Sequence, residues 1–295
     1  VTVSVSSARV ECVVPTRDQL GETPLWDESS QLLWWLDIER PKLQWYNPAT
    51  GAHRWIGMPG TYAGSQAFGK DGRRLVAIDL ELKWLEVEEG RFTHFATVET
   101  GLDNRLNDGR VDPKGRLWIG TMDNGLATPN GGLYRVDPDG TVTRVAGDVI
   151  VSNGITFSPD GKVLYFTDTR RYQSWAFDVD PDDGTVTNRR LFADYSDVRD
   201  RPDGACVDVD GCIWQAFFAG GRVVRYRPDG QIDMRIELPV KNPTCVCFGG
   251  SDLKTLYVTT ATKFLTPEER EAQPLSGALL GIHGVGQGMP ENRFG

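Results

Sequence analysis

Histidine is scarce in this chain: three in 295 residues, at His53, His94 and His283. His53 reads as part of a Gly-Ala-His turn, His94 lies in an alternating strand-like run, and His283 stands near the end. None has a plausible nucleophile beside it, and neither G-x-S-x-G nor H-E-x-x-H occurs, which argues against serine-hydrolase and His-zinc chemistry. Basic charge is also short. The 32 Lys and Arg against 41 Asp and Glu leave a formal charge of −9, with no field for a phosphate backbone, so nucleic acid is not an expected partner. No apolar run reaches the roughly 18 residues of a membrane-crossing helix, so no membrane partner is expected. Residues 1–12 lack a basic stretch followed by an apolar core, so no secretion signal is expected and the expected location is cytoplasmic. The five cysteines (Cys12, Cys206, Cys212, Cys245 and Cys247) include no C-x-x-C. They are read as reduced, buried thiols, with Cys206 and Cys212 as the one pair that a hairpin could bring together. Helix starts are nearly missing too: Thr266-Pro267-Glu268-Glu269 is the one good signal, with a Thr cap, Pro at the first turn and Glu three residues on.

What is there is strand after strand. Runs such as Leu32-Leu33-Trp34-Trp35-Leu36, Arg116-Leu117-Trp118-Ile119-Gly120, Val163-Leu164-Tyr165-Phe166-Thr167 and Thr255-Leu256-Tyr257-Val258-Thr259 are short and rich in β-branched and aromatic residues. Between them stand turns: Lys70-Asp71-Gly72, Pro138-Asp139-Gly140, Pro159-Asp160-Gly161 and Pro228-Asp229-Gly230. A strand, turn and second strand recur as one frame, anchored at Trp26, Phe68, Val111, Phe157, Val207 and Phe248, with spacings of 42, 43, 46, 50 and 41. Six frames of that length predict an all-β fold, a six-bladed β-propeller of four-stranded blades. Further strand pairs complete several frames, at 42–46 with 53–56, 133–136 with 141–145, and 223–226 with 232–236. The sixth frame has room for three strands, and residues 8–15 alternate Val10, Cys12, Val14, so the N-terminal strand is expected to complete blade six and close the ring. One shared axis makes residues 1–295 a single domain. Trp26, Trp34, Trp35, Trp118 and Trp214 fall in strand slots and are expected in the core.

Equivalent frame positions lie on one ring of a propeller. Four residues before the anchors stand Glu22, Gly64, Asn107, Asn153, Asp203 and Thr244. Glu22, Asn153 and Asp203 offer two carboxylates and an amide oxygen to one channel mouth, a donor set suited to Ca²⁺, Mg²⁺, Mn²⁺ or another divalent cation. Such an ion neutralises two carboxylates that otherwise repel. The alternative is that Asn153-Gly154 and Asp203-Gly204 are ordinary turns. The frame weighs against it, because the Pro-Asp-Gly turns fall in hairpin phase and Arg201-Pro202-Asp203-Gly204 in channel phase. The stretch from Asp178 to Gly184 looks like a calcium loop, but it lacks Gly at the sixth place and has Arg189 at the twelfth, so it reads as an acidic hairpin turn.

Leu20-Gly21-Glu22-Thr23-Pro24-Leu25-Trp26, Asn104-Arg105-Leu106-Asn107-Asp108-Gly109, Trp118-Ile119-Gly120-Thr121-Met122, Ser152-Asn153-Gly154-Ile155, Arg201-Pro202-Asp203-Gly204 and Phe248-Gly249-Gly250 resemble, in order, the gluconolactonase/regucalcin (senescence marker protein) family of six-bladed propellers, and in particular its bacterial sugar lactonases. The resemblance runs from about residue 11 to residue 285. It implies one divalent metal ion, with Ca, Mn, Zn, Mg and Fe all open, held by Glu22, Asn153 and Asp203. It implies Arg105 and Asn107 as substrate-binding residues and Asp203 as general base. Several members carry a Glu two residues after the Gly-Thr-Met that contacts the sugar; here Asn124 stands there, preceded by Asp123, and both are candidate substrate contacts. The implied reaction is hydrolysis of a sugar lactone to the aldonic acid in bacterial sugar oxidation. Phosphotriester hydrolysis on a similar metal propeller and non-catalytic calcium binding are the competing readings. The expected partner is a small sugar lactone, with the chain a monomer or weak homo-oligomer and the loop 123–132 a candidate lid.

Overall fold

The computed structural model describes residues 4–5 and 8–295. Six sheets stand in a ring, each with its first strand innermost, giving a six-bladed β-propeller. The inner strands are Gly21–Asp27, Ala63–Phe68, Asn104–Val111, Ser152–Phe157, Arg201–Val207 and Pro243–Gly249. Blades one to four are built from consecutive strands. Blade six takes three strands from the C-terminal side of the chain, and Val10–Val14 pairs antiparallel with Leu279–His283 as its outer strand. The ring is thus closed by the N-terminal strand, as the frame count predicts. Blade five carries one strand that the sequence did not announce: Ser4–Val5 lies parallel to Ile232–Glu237.

Turn chemistry follows the repeat. In the Asp-Gly hairpins the Asp side chain accepts a backbone N–H two residues on: Asp71 from Arg73 at 3.0 Å, Asp139 from Thr141 at 2.8 Å, Asp160 from Lys162 at 3.1 Å and Asp229 from Gln231 at 3.0 Å. The acidic stretch after Asp178 is likewise a hairpin turn, between Gln173–Val179 and Val186–Asp194. Thr266 caps the helix Pro267–Ala272 through a full capping box with Glu269. His53 lies within the strand Ala52–Gly57, opposite Tyr46 as the expected pairing of 42–46 with 53–56 requires and not in a turn, and its ring stacks on Trp35.

Each interface between neighbouring blades is filled by its own apolar cluster. Trp34, Leu36, Phe68 and Val76 join blades one and two, and Trp118, Leu133, Phe157 and Leu164 join blades three and four. Val14, Leu279 and Tyr257 meet Trp26, Leu33 and Trp35 where blade six meets blade one. All five tryptophans assigned to the core are buried. Four of the five cysteines are buried too, but Cys12 is exposed on the outer strand, a correction to the expectation of five buried thiols. All five are free, including Cys206 and Cys212. Residues 284–295 cross the far end of the channel, bridging blade five through Asp208 with Gly288 and blade two through Gly69 with Phe294.

Candidate active site

All six inner strands lose register with their neighbours at the ring position: at Glu22/Leu25, Ala63/Ser65, Leu106/Gly109, Asn153/Thr156, Pro202/Ala205 and Pro243/Cys245. A bulge gives one strand an extra residue and re-aims its side chains. Here it does so at the same height in every blade, so the ring residues face the channel mouth. Asn153-Gly154 and Asp203-Gly204 are therefore strand residues, not turns. Gly154 sits at φ 58, and a Cβ on Gly204 would run into the Cys245 side chain of blade six. Thr23, beside Glu22, holds φ 46, a strained value for a β-branched residue.

One cavity at this mouth is lined by Glu22, Arg105, Asn107, Asn153 and Asp203, with Thr169, Met122, Leu126 and Phe218 among its walls. All five polar ring residues are buried. A chain of hydrogen bonds links three blades. Arg105 Nη1 donates to Asn107 Oδ1 at 2.6 Å, and Asn107 Nδ2 donates to Asn153 Oδ1 at 2.9 Å and to the Ser152 carbonyl at 2.8 Å. Asn153 Nδ2 donates to Thr169 Oγ1 at 2.8 Å, and Thr169 donates to the Pro202 carbonyl at 2.7 Å. With its N–H side committed, the Asn153 amide presents oxygen. Glu22 accepts the Thr23 N–H at 2.9 Å. The Arg105 guanidinium lies 5.3 Å from the Tyr62 ring centre.

Electrostatics matches the geometry. Burial, then the negative charge of Asp108, pushes the Glu22 carboxyl up to about 8, against the pull of the Thr23 N–H and Arg105. Burial and the Glu22 charge hold Asp203 well above the usual carboxylate range. Burial pulls Arg105 down from its ordinary value while the surrounding acids oppose it. Asp108 rises to about 6 through burial, and its Oδ2 accepts the Ile155 N–H at 2.8 Å, bracing the backbone just beyond Asn153. Two crowded carboxylates and an oriented amide oxygen make a hard-oxygen donor set that fits a divalent cation. Among the described residues no group of three His, Cys, Asp or Glu side chains is placed to hold a metal by itself, so the third donor would be the amide of Asn153.

Asp123 and Asn124 do not line this cavity. Asp123 Oδ2 accepts the N–H groups of Ala127 at 2.9 Å and Thr128 at 2.8 Å, and these bonds hold its carboxyl below the ordinary value. Asn124 Nδ2 donates to Asp103 at 2.8 Å. Both residues shape the loop 123–132, which reaches the cavity through Leu126. No histidine lines the cavity. Thr169, Asp108 and Tyr62 were missed by sequence reasoning. Asp108 sits inside a quoted motif, but nothing in the sequence separates a bracing acid from a turn acid. Thr169 and Tyr62 have no local signal.

Residues 20–262 match the family model described as the SMP-30/gluconolactonase/LRE-like region. Regucalcin of Oryctolagus cuniculus is 36% identical over 97% of this chain and 98% of its own length. The 6-deoxy-6-sulfogluconolactonase of Pseudomonas putida is 38% identical over 92% and 93%. The crystal structure of regucalcin from Agrobacterium tumefaciens, described as a calcium-binding protein, superposes with a TM-score of 0.94 at 34% identity, covering 100% of this chain and 99% of that one. On its fold, its ring of bulged inner strands and these relatives, the chain belongs to the SMP-30/gluconolactonase/LRE-like family.

Proposed function

We propose that this protein hydrolyses a sugar (aldono-) lactone to the aldonic acid with the help of one divalent cation held by Glu22, Asn153 and Asp203. The observation that carries this reading is the convergence of those three side chains with Arg105 and Asn107 in one cavity. A lactonase among the relatives supports the reaction class. A bound divalent cation supplies Lewis acidity toward the ester carbonyl and balances the two carboxylates.

The protein's own groups do the rest. Asp203 takes a proton from the attacking water as the water oxygen bonds to the acyl carbon. Arg105, buried and fixed by its bond to Asn107, faces the oxygen on which negative charge develops. The ring C–O bond then breaks, and the released alkoxide recovers the proton as a hydroxyl. Asn107 keeps the Asn153 oxygen and the Arg105 guanidinium in register. Asp123 acts at a distance, by holding the loop that carries Leu126. A cytoplasmic location is part of this proposal, supported by five free thiols.

A panel of aldonolactones assayed by acid release, with several metals, tests it. Exhaustive chelation is expected to abolish turnover, and one or more divalent ions to restore it; activity that survives chelation overturns the role of the ion. The description of the Agrobacterium relative as calcium-binding favours a second reading, calcium binding without catalysis. Tight Ca²⁺ binding with no turnover of any lactone would establish that reading in place of the first.

A further inference from the structure

The rim of the same cavity holds more positive charge than the site consumes. Arg105, Arg170, Arg201 and Lys263 all line it, against Glu22 and Asp203, in a chain whose formal charge is −9. Two of these cations are accounted for. Arg105 faces Glu22 and Asp203, and Lys263 pairs with Glu39. The other two are not. Arg170 Nε donates to the Leu126 carbonyl at 3.0 Å, and its guanidinium meets no carboxylate among the described residues. The nearby Asp168 is committed to the backbone N–H groups of Ile150, Val151, Arg170 and Arg171, and to the Arg171 side chain. Arg201 has no side-chain hydrogen bond or ion pair among the described residues, since the adjacent Asp200 is taken by Arg222. Guanidinium groups are planar double donors matched to oxyanions, and two that line one cavity without a carboxylate partner make an anion site.

Position gives the anion its place on the substrate. Arg201 stands two residues before Asp203 on an inner strand, a separation of roughly 7 Å along extended backbone. Both side chains line the one cavity, so an anion at Arg201 and the lactone carbonyl beside Asp203 can belong to a single substrate. Leu126 and Phe218 give the same cavity apolar wall, which strengthens charge pairing there.

We propose that Arg170 and Arg201 form an anion subsite, so that the preferred substrate is an aldonolactone with a second, terminal oxyanion: carboxylate, phosphate or sulfonate. This rests on the lactonase reading, and the test separates the two. Binding of gluconate, glucarate, 6-phosphogluconate and 6-deoxy-6-sulfogluconate is measured by calorimetry at one salt concentration, and turnover of neutral glucono-1,5-lactone and of the lactones of the three terminally charged acids is measured alongside. The expected result is that at least one terminally charged compound binds tenfold or more tighter than gluconate, and which one identifies the oxyanion. That advantage is expected to fall below threefold in Arg201→Gln and in Arg170→Gln, and to return in part in Arg201→Lys. Equal binding of all four compounds, or an advantage that persists in both Gln variants, overturns the subsite whatever the turnover. Absence of turnover of every lactone, neutral or terminally charged, with the binding advantage intact sinks the lactonase reading and leaves the subsite standing. Because the two Gln variants change different blades, a folding defect in one leaves the other to decide.

Discussion

A carboxylate buried beside a second carboxylate is costly to ionise, and Asp203 beside Glu22 is in that position, with the Arg105 charge offsetting only part of the cost. The cost is built into the ion-free protein. Asp203→Asn keeps the shape and removes the charge. It is therefore expected to lower lactone turnover about a thousandfold, the range for loss of a positioned base. The same variant is expected to be more stable than the parent without divalent ion, by about 1 kcal/mol. The parent should gain melting temperature when the ion is added, and the variant should not. Turnover read beside thermal melts in chelator and in ion checks both halves, and a variant that melts lower in chelator contradicts the repulsion argument. Asn153 makes a related point: its identity was legible in the frame, but which end of its amide faces the cavity was not, because Asn107 and Thr169 decide that from blade three and from beyond the second strand of blade four.

At the scale of the element, the repeat is held by acids just after the anchors. Asp112 accepts the N–H groups of Lys114 at 2.9 Å and Arg116 at 3.0 Å, the Arg116 Nε at 2.6 Å and the Trp118 indole at 2.9 Å. Asp208 does the same work in blade five, with Asp210, Cys212, Trp214 and Arg225 as donors. One residue therefore closes the hairpin, satisfies a buried indole and neutralises a buried cation. Asp112→Ala is expected to cost about 3–5 kcal/mol, because it strands the Arg116 charge and the Trp118 N–H in the interior. Urea denaturation measures the loss, and lactone turnover per folded molecule should be unchanged, since Asp112 lies outside the cavity. Turn chemistry of this kind was readable from Asp and Gly spacing. Asp123 was not: it ends the second strand of blade three much as Asp37 and Asp168 end theirs, yet it caps its own outgoing loop instead of the chain entering the blade.

For the whole molecule, closure depends on both ends of the chain. Val10–Val14 covers the edge of blade six, and residues 284–295 tie the far face together through Arg110 with Glu291 at 2.6 Å and Arg293 with Asp27 at 2.6 Å. Burial tends to raise the Asp27 carboxyl, but the hydroxyls of Ser30 and Ser29 and the Arg293 guanidinium outweigh it and bring it down to about 2. A carboxyl depressed in the folded state stabilises fully above its unfolded value and loses that contribution as pH falls through its folded one. The tail is therefore expected to hold at neutral pH and to weaken between about pH 4 and pH 2. Hydrogen exchange at the amides of Phe294 and Gly295 checks it: protection should drop across that window in the parent, and the drop should be much smaller in Asp27→Asn. An unchanged profile in that variant assigns the acid response to another group.

The sequence by itself determined the propeller, the number of blades, the strand that closes the ring and the ring positions of Glu22, Asn107, Asn153 and Asp203. All of these follow from local rules of strand alternation, turn residues and a repeat length, which act along the chain and can be counted there. Only the tertiary structure decided that Arg105 reaches Asn107 and Asn107 reaches Asn153, that Asp123 and Asn124 serve the loop, and that Arg170 and Arg201 line one cavity without a carboxylate partner among the described residues. Two of those relations, Asn107 with Asn153 and Arg170 with Arg201, join side chains from different blades, and the others depend on how a bulged strand or a loop turns its side chains within blade three. Their distances are set by how the bulged strands tilt and how neighbouring sheets pack, and no spacing within a single chain segment records either.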